Sequence, residues 1–450
     1  MHDQPFRHPL TALRAALGVP ADKYLDHLDE AHHALGYGRM AKRREKVCRW
    51  ETGVHTPDEH AQHAMARLHG IPREAVAELG WPDFLLRAFP DDSPVLYSPW
   101  TTAGTVASIE AATRGGSMDR RGFLISSGAA LGAIAIRWSD TLTDLPLHPS
   151  RGRRLTAAMV ARLEQRLDDL RHLDDVLGST ELRPSAVAEY NLLSNLAQQA
   201  VYDGAVGRRL FSTLAEASRI CGWLYFDSGL HAAAQRFYIT SLRASATAGD
   251  PEVGANTLNF MTIQTYSVGN PQDAVNLIQT AQRQVSGHTT ARVRARLHAR
   301  AARALSKTGD LKGCARELDA ARDAYTAGPY DGDPPWAYSL TAGEIEMLAG
   351  SAALDLKDPG RALKHFAAAR AAEYAAAGHV RDSVLYLARS AHAHLELGDL
   401  DATCATATQA LTQNKGIGSC RPSDALSDLR NRLASHRDVP VVREFLSLSA

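Results

Sequence analysis

Gly309-Asp310-Leu311-Lys312-Gly313-Cys314-Ala315-Arg316-Glu317-Leu318 is the plainest of five stretches built on one plan. A turn residue is followed five positions on by a small residue, and four further on by an apolar one. The others read GLHAAAQRFY from Gly229, GNPQDAVNLI from Gly269, KDPGRALKHF from Lys357 and GDLDATCATA from Gly398. Their first residues lie 40, 40, 48 and 41 positions apart. The small residue lets two helices approach and the next apolar residue fills the gap between them. One such helix pair cannot bury its own apolar face, so the pairs must stack.

The surrounding sequence agrees. From about residue 155 the chain is Ala/Leu/Arg-rich, with flanking helices expected at 155–177, 184–203 and 422–447. Only 6% of residues are aromatic, which favours close-packed helices over sandwiches or barrels. The repeat resembles the tetratricopeptide repeat (TPR) over residues 208–414. Its GDxxxA turn is matched by Gly309, Asp310 and Cys314, then Leu318 and Ala321; Gly222, Tyr225, Gly229, Ala234 and Tyr238 fall on the same pattern. The spacing exceeds the roughly 34 residues of that family, and its large Trp and Pro positions are mostly missing. A plain all-α bundle without superhelical stacking is the competing arrangement.

Residues 1–80 have another texture. Leu10, Leu13 and Leu17 share one helical face, and Pro20 opens a second helix that closes at Gly36-Tyr37-Gly38. A third helix is expected over Arg39–Trp50. Thr56 then reads as the N-cap of a fourth, with Pro57 at N1 and Glu59 completing a capping box. A fifth is expected over Pro72–Leu79. Within the third segment Arg39, Lys42, Arg43, Arg44, Lys46 and Arg49 face a single anion, Glu45. The local charge is about +5 in a chain with 50 basic and 50 acidic residues. Zero net charge excludes a surface that is basic all over, so a nucleic-acid partner needs such a local patch. Phosphates repay cation clustering, and Arg can read guanine with two hydrogen bonds. The bland alternative is a solvated basic face.

Val47-Cys-Arg-Trp50-Glu-Thr-Gly53-Val-His-Thr-Pro57 resembles the end of the recognition helix in the XRE, or lambda-repressor-like, helix-turn-helix family. The resemblance implies that Val47 and Trp50 root the helix in a core, Gly53 turns the chain, and Arg43, Arg44, Lys46 and Arg49 look outward. The second helix departs from the family in lacking its usual Gln and Leu-Ala pair. The whole chain is then all-α, with a helix-turn-helix domain (1–80), a linker with short helices (81–150) and a TPR-like solenoid (151–450) for sensing and dimerisation. This architecture, the Lys-poor composition and Leu79-Gly-Trp-Pro-Asp-Phe-Leu-Leu86 are similar to those of Streptomyces-type regulators. The resemblance implies a cytoplasmic homodimer on a near-palindromic DNA operator, with outputs in development or secondary metabolism. A TPR-like protein-interaction scaffold with a vestigial DNA-binding domain is the alternative.

If the repeats stack as in that family, the first helix of each pair lines a groove for a peptide, small molecule or protein. That places Arg219, Trp223, Phe226, Asn256, Asn259, Tyr266, Arg296 and Arg303 there, with Asn191, Asn195 and Gln198 added from the preceding helix. Asn offers a donor and an acceptor together, suited to a peptide backbone.

Other chemistry is absent from the sequence. No phosphate-binding loop, dinucleotide fingerprint, nucleophile elbow or metalloprotease helix occurs, so no enzyme and no cofactor is expected. His27, Glu30 and His32, or His60 and His63, match no metal-ligand spacing. Five scattered cysteines show no CxxC pair, which points to a reducing compartment. The first ten residues carry no apolar signal region, and the most apolar run, Phe123–Ile136, is short for a bilayer. Met118-Asp-Arg-Arg-Gly-Phe-Leu124 resembles a twin-arginine export signal behind a folded domain, where a linker helix docked on the repeats or on a second subunit is the simpler expectation.

Overall fold

The computed structural model describes residues 8–17, 19–89, 93–114, 129–142, 152–372, 380–414 and 418–448; the twin-arginine-like segment before residue 129 lies outside them. The described residues are all-α, joined only by one isolated bridge between Arg154 and Val201.

The amino-terminal head comprises α1 (Pro9–Leu17), α2 (Ala21–Ala34), α3 (Arg44–Glu51), α4 (Glu59–Leu68) and α5 (Glu74–Leu79), then a 3-10 turn at Asp83–Ala88. Leu10, Leu13, Tyr24, Leu25, Leu28, Val47, Trp50, Met65, Val76 and Phe84 form its own core. The third helix starts five residues later than expected. Asp29 of α2 accepts the Met40 N–H (2.9 Å) and pairs with Arg39 (3.0 Å) and Lys42 (3.1 Å). These contacts hold residues 39–43 out of helical geometry and leave Arg43 as an extended N-cap. The fourth helix also starts late, because Asp58 rather than Thr56 caps it, accepting from the Ala61 N–H at 2.8 Å. Glu51 receives a two-pronged ion pair from Arg14 (2.7 and 3.2 Å), which ties the end of α3 to α1.

Burial pushes His8 and His69 down to about 4 and Asp83 up to about 6. The two histidines stay neutral in the fold while the unfolded chain takes up protons below about 6.5. Their contribution is therefore present above that pH and lost between about 6.5 and 4, on the order of 2–3 kcal/mol for His69. Asp83 acts oppositely, favouring the fold as pH falls below about 6, so the net expectation is a loss. Urea midpoints followed by tryptophan fluorescence from pH 7 to 4.5 should fall, and H69Q should flatten that slope. An equal slope in H69Q would contradict the assignment.

The stretch read as a linker with short helices carries such helices, and they pack on the repeats. It contains α6 (Ser93–Tyr97), α7 (Thr102–Arg114) and α8 (Ala129–Thr141). Leu131, Ile134, Ala135 and Trp138 share one core with the repeats. On α7, Thr105 and Ser108 lie 2.8 Å and 3.0 Å from the Thr247 and Thr240 hydroxyls. The fully buried Trp138 donates to Ser245 Oγ (3.0 Å) and covers Gly254, where a Cβ would stand 2.2 Å from the indole.

Among the described residues fourteen α-helices follow. They are α9 (Ala157–Leu177), α10 (Ser179–Gln199), α11 (Gly204–Asp227), α12 (His231–Ala248), α13 (Pro251–Val268), α14 (Pro271–Val285) and α15 (Ala291–Lys307). The rest are α16 (Leu311–Thr326), α17 (Ala342–Asp355), α18 (Pro359–Ala371), α19 (Val380–Glu396), α20 (Leu400–Gln413), α21 (Cys420–Leu433) and α22 (Pro440–Leu448). Gly229, Gly269, Gly309, Lys357 and Gly398 sit at the turns of the pairs from α11/α12 to α19/α20. The small residues Ala234, Ala274, Cys314, Ala362 and Thr403 are buried at the start of each second helix. So are the apolar residues four further on, Tyr238, Ile278, Leu318, Phe366 and Ala407. Tyr238 and Phe366 lie against glycines of the first helix: a Cβ on Gly222 or Gly350 would come within 2.5 or 2.6 Å of those rings. The long 48-residue step accommodates an insert after α16 that carries a 3-10 turn, Pro335–Ser339.

The two ends of this array meet. Gly418 O accepts from the Thr180 amide (3.1 Å) and hydroxyl (2.9 Å). The buried Asp227 accepts from Ser179 (2.7 Å) and Ser419 (2.9 Å), and α19 touches α9.

Candidate functional site

Two places gather chemistry. On the head, buried Val47 and Trp50 fix one side of α3, leaving Glu45, Cys48 and Arg49 exposed on the other and Arg43 exposed at its start. Arg39 and Lys42 belong to the approach loop instead. Lys42 reaches Asp26 (3.0 Å) as well as Asp29, and the Met40 amide, Lys42 and Arg39 together hold Asp29 down at about 2 despite its burial. Two of the six cations are thus matched by carboxylates of α2. The basic face of α3 is carried by Arg43, Lys46 and Arg49, with Arg44, of which only the backbone is described, at its first turn. Arg49 Nη1 lies 3.3 Å from His55 Nε2, beyond the Gly53 turn (φ +72°).

His32, His60 and His63 of the head are held in ring and hydrogen-bond contacts. Tyr37 stacks on His60 (4.1 Å between ring centres), its hydroxyl lies 3.2 Å from His63 Nδ1, and His32 Nδ1 lies 2.8 Å from the Gly38 carbonyl. Among the described residues no group of three His, Cys, Asp or Glu side chains could hold a metal ion.

The second place is a chamber, partly open to solvent, at the centre of the repeats. Because the array meets end to end, alternate helices all face it. Arg171, Asp174 and Asp175 come from α9, Arg219 and Trp223 from α11, and Asn256, Phe260 and Tyr266 from α13. Arg296 and Arg300 come from α15, Trp336 and Tyr338 from the insert, Glu344 from α17, Asp382, Tyr386 and Arg389 from α19, and Arg421 from α21.

Of the groove residues expected from sequence, Arg219, Trp223, Asn256, Tyr266 and Arg296 line this chamber. Asn259 stands behind the wall and accepts from Arg300 Nε at 3.2 Å. Arg303 is turned away into an ion pair with Asp355, and Phe226 is buried against Trp223. Asn191 and Asn195 are exposed on α10, and Gln198 bonds Ser194 on the same helix. They lie outside the chamber because α10 is the second helix of its pair; the inner helix there is α9. Arg300, Arg389, Phe260, Trp336 and Tyr386 were not anticipated. Arg300 sits between the two expected arginines of α15, one turn after Arg296, and that periodicity was the available signal.

The electrostatics are lopsided. Burial, reinforced by Arg300 and Arg219, pushes Arg296 down to about 10. Burial would raise the Tyr266 phenol, yet Arg300, Arg303, Arg389 and Arg421 outweigh it and bring it below its ordinary value. The acids are engaged: Asp174 accepts from Trp223 Nε1 (2.8 Å), Asp175 from Tyr338 Oη (2.6 Å) and Glu344 from Tyr386 Oη (3.3 Å).

No protein-family model matches the chain, and no curated protein matches it. Among the described residues no helix is long and apolar enough to cross a membrane.

Proposed function

We propose that the chain is a sequence-specific DNA-binding transcriptional regulator, with an XRE-like helix-turn-helix head and a TPR-like repeat body that senses a ligand and dimerises. The observation that carries this reading is α3: a short helix rooted by Val47 and Trp50, with basic side chains at its free start and outer face. A helix presented in this way lays its first turn against base edges in the major groove. In a two-fold dimer two such helices spaced by roughly 34 Å read a near-palindrome. A bound ligand acts by favouring one head spacing over another, and a tenfold change in affinity needs about 1.4 kcal/mol. Control of development or secondary metabolism, in a cytoplasmic protein, is the setting suggested by the sequence resemblance.

Contacts near Tyr97 and Arg243 link the end of the head to the repeat body. Arg87 lies over Tyr97 (4.1 Å), Tyr97 Oη donates to the Asp83 carbonyl (3.3 Å), and α6 is gripped by Arg243 of the repeat body. The test is DNA recovered with the purified full chain from genomic fragments, followed by gel shifts with R43Q/R44Q. The double variant should lose binding by at least about 100-fold, two charge-assisted contacts per head, with unchanged helix content. Equal shifts for both proteins would remove the DNA assignment. A captured protein partner with no salt-dependent DNA affinity would favour the scaffold reading instead.

A further inference from the structure

Three chamber arginines make no ion pair with a described carboxylate, and only at longer range does Glu344 act on Arg296 and Arg300 and Asp382 on Arg389. Arg171 and Arg219 both pair with Glu216 (3.1 Å each), and Arg421 lies 3.6 Å from Asp382 and 3.8 Å from Asp227. Arg296, Arg300 and Arg389 differ: among the described residues none has a carboxylate within 4 Å. Arg296 donates to Ser339 Oγ (2.8 Å) and the Trp336 carbonyl (3.4 Å). Arg300 donates to Asn259 Oδ1 and Tyr266 Oη (2.9 Å), and Arg389 to Ser351 Oγ (2.7 Å). All these acceptors are neutral. A guanidinium stays charged in a protein; Arg300 and Arg219 disfavour the charge of Arg296, and Arg421 that of Arg389, whereas Tyr266, Glu344 and Tyr386 favour that of Arg300.

Two further features point inward. Asn256 is 1% exposed, lines the chamber, and its Oδ1 has no hydrogen-bond partner; Arg296 Nε also lacks one. Flat aromatic faces stand beside the charges, with Arg296 lying 5.7 Å from the Phe260 ring centre and 5.8 Å from that of Trp336. Enclosure by seven inner helices and the insert suits a compact molecule rather than a long extended chain.

We propose that the chamber binds a small organic anion, one carboxylate or phosphate on a flat body of one or two rings, with Arg296, Arg300 and Arg389 taking the charge and Phe260 and Trp336 the ring. The inference rests on the sensor half of the function proposed above, and it names the class of molecule sensed. A planar guanidinium suits either anion, since both present paired oxygens. The Asn256 carboxamide oxygen supplies an acceptor for a hydroxyl or N–H on the ring.

The experiment is calorimetric titration of the full chain, without DNA, using naphthalene-2-carboxylate, phenyl phosphate and the neutral naphthalene-2-carboxamide. At least one anion should bind saturably, and which one does separates a carboxylate from a phosphate ligand. The carboxamide should bind at least about tenfold more weakly than an anion that binds, and R300Q should lower the anion's affinity about 10- to 100-fold with native circular dichroism. If R300Q fails to fold, R389Q on the facing helix makes the same comparison. Equal binding of amide and anion, saturation by neither anion up to about 10 mM, or saturation only by an extended peptide overturns the proposal. Anion binding by a chain that ignores DNA would overturn the regulator reading and leave this one standing; DNA binding by a chain that ignores all three probes would do the reverse.

Discussion

Arg243→Met is expected to destabilise the protein by about 3–5 kcal/mol and to free the segment at 93–101 for proteolysis. Arg243 is 1% exposed on α12. Its Nε donates to the Val95 carbonyl (2.9 Å), Nη2 to Leu96 (3.0 Å), and Nη1 to Ser98 (2.8 Å) and Pro99 (3.3 Å). Val95 and Leu96 are carbonyls that the end of a five-residue helix leaves without intrahelical donors, and Ser98 and Pro99 follow directly after it. The guanidinium therefore satisfies the end of α6 and complements its negative pole, while lying 4.7 Å from the Trp100 ring centre. Methionine fills much of the volume and supplies no donor, so buried carbonyls lose partners worth about 1–3 kcal/mol each, with some recovery through water. Lysine keeps the charge but not the fork and should recover only part of the loss. Urea midpoints and a timed digest measure both effects. A shift below about 1 kcal/mol with an intact segment would mean that the clamp is not structural.

Trp50→Ala should remove the head while sparing the repeats. The indole is 5% exposed among Leu10, Leu28, Val47 and their neighbours, in a core separate from that of the body. Truncating a buried tryptophan costs about 3–5 kcal/mol, a large share of what a domain of this size possesses. The expected result is two-stage unfolding in which only the early, head-associated stage is lost or moved to lower denaturant, together with loss of DNA binding. A single unchanged transition would show that α3 is not rooted through this side chain.

The positions where sequence and structure meet or part have identifiable causes. The five helix-pair turns were legible because close helix approach demands a small residue at a fixed offset, as at Ala234 and Ala274, and few other sequences satisfy that. Trp50 and Val47 stood out for a similar reason, as large apolar residues in a strongly basic run. The start of α3 was not legible. Arg39 to Arg43 are good helix formers in isolation, and what unwinds them is Asp29, ten residues upstream in sequence and adjacent only in the fold. Residues 81–150 read as a linker with short helices because of Pro82, Pro90, Pro94 and Pro99, Ser/Thr runs and Gly115-Gly116, and Thr105 and Ser108 belong to that polar texture. They are buried here because α12 offers Thr240 and Thr247 opposite them, a match between distant segments that local composition cannot reveal. Much of the chamber was hidden likewise. Trp336 enters on an insert that breaks the repeat spacing, and Arg389 and Arg421 reach it only because the array closes on α9.

The salt dependence of affinity for a recovered duplex tests the central claim most directly. Four cations on each α3 of a dimer predict that log affinity falls against log salt with a slope of about −4 to −7, and that R43Q/R44Q shallows the slope by about 2 or more. An affinity indifferent to salt, or a slope the double variant leaves untouched, would contradict the account.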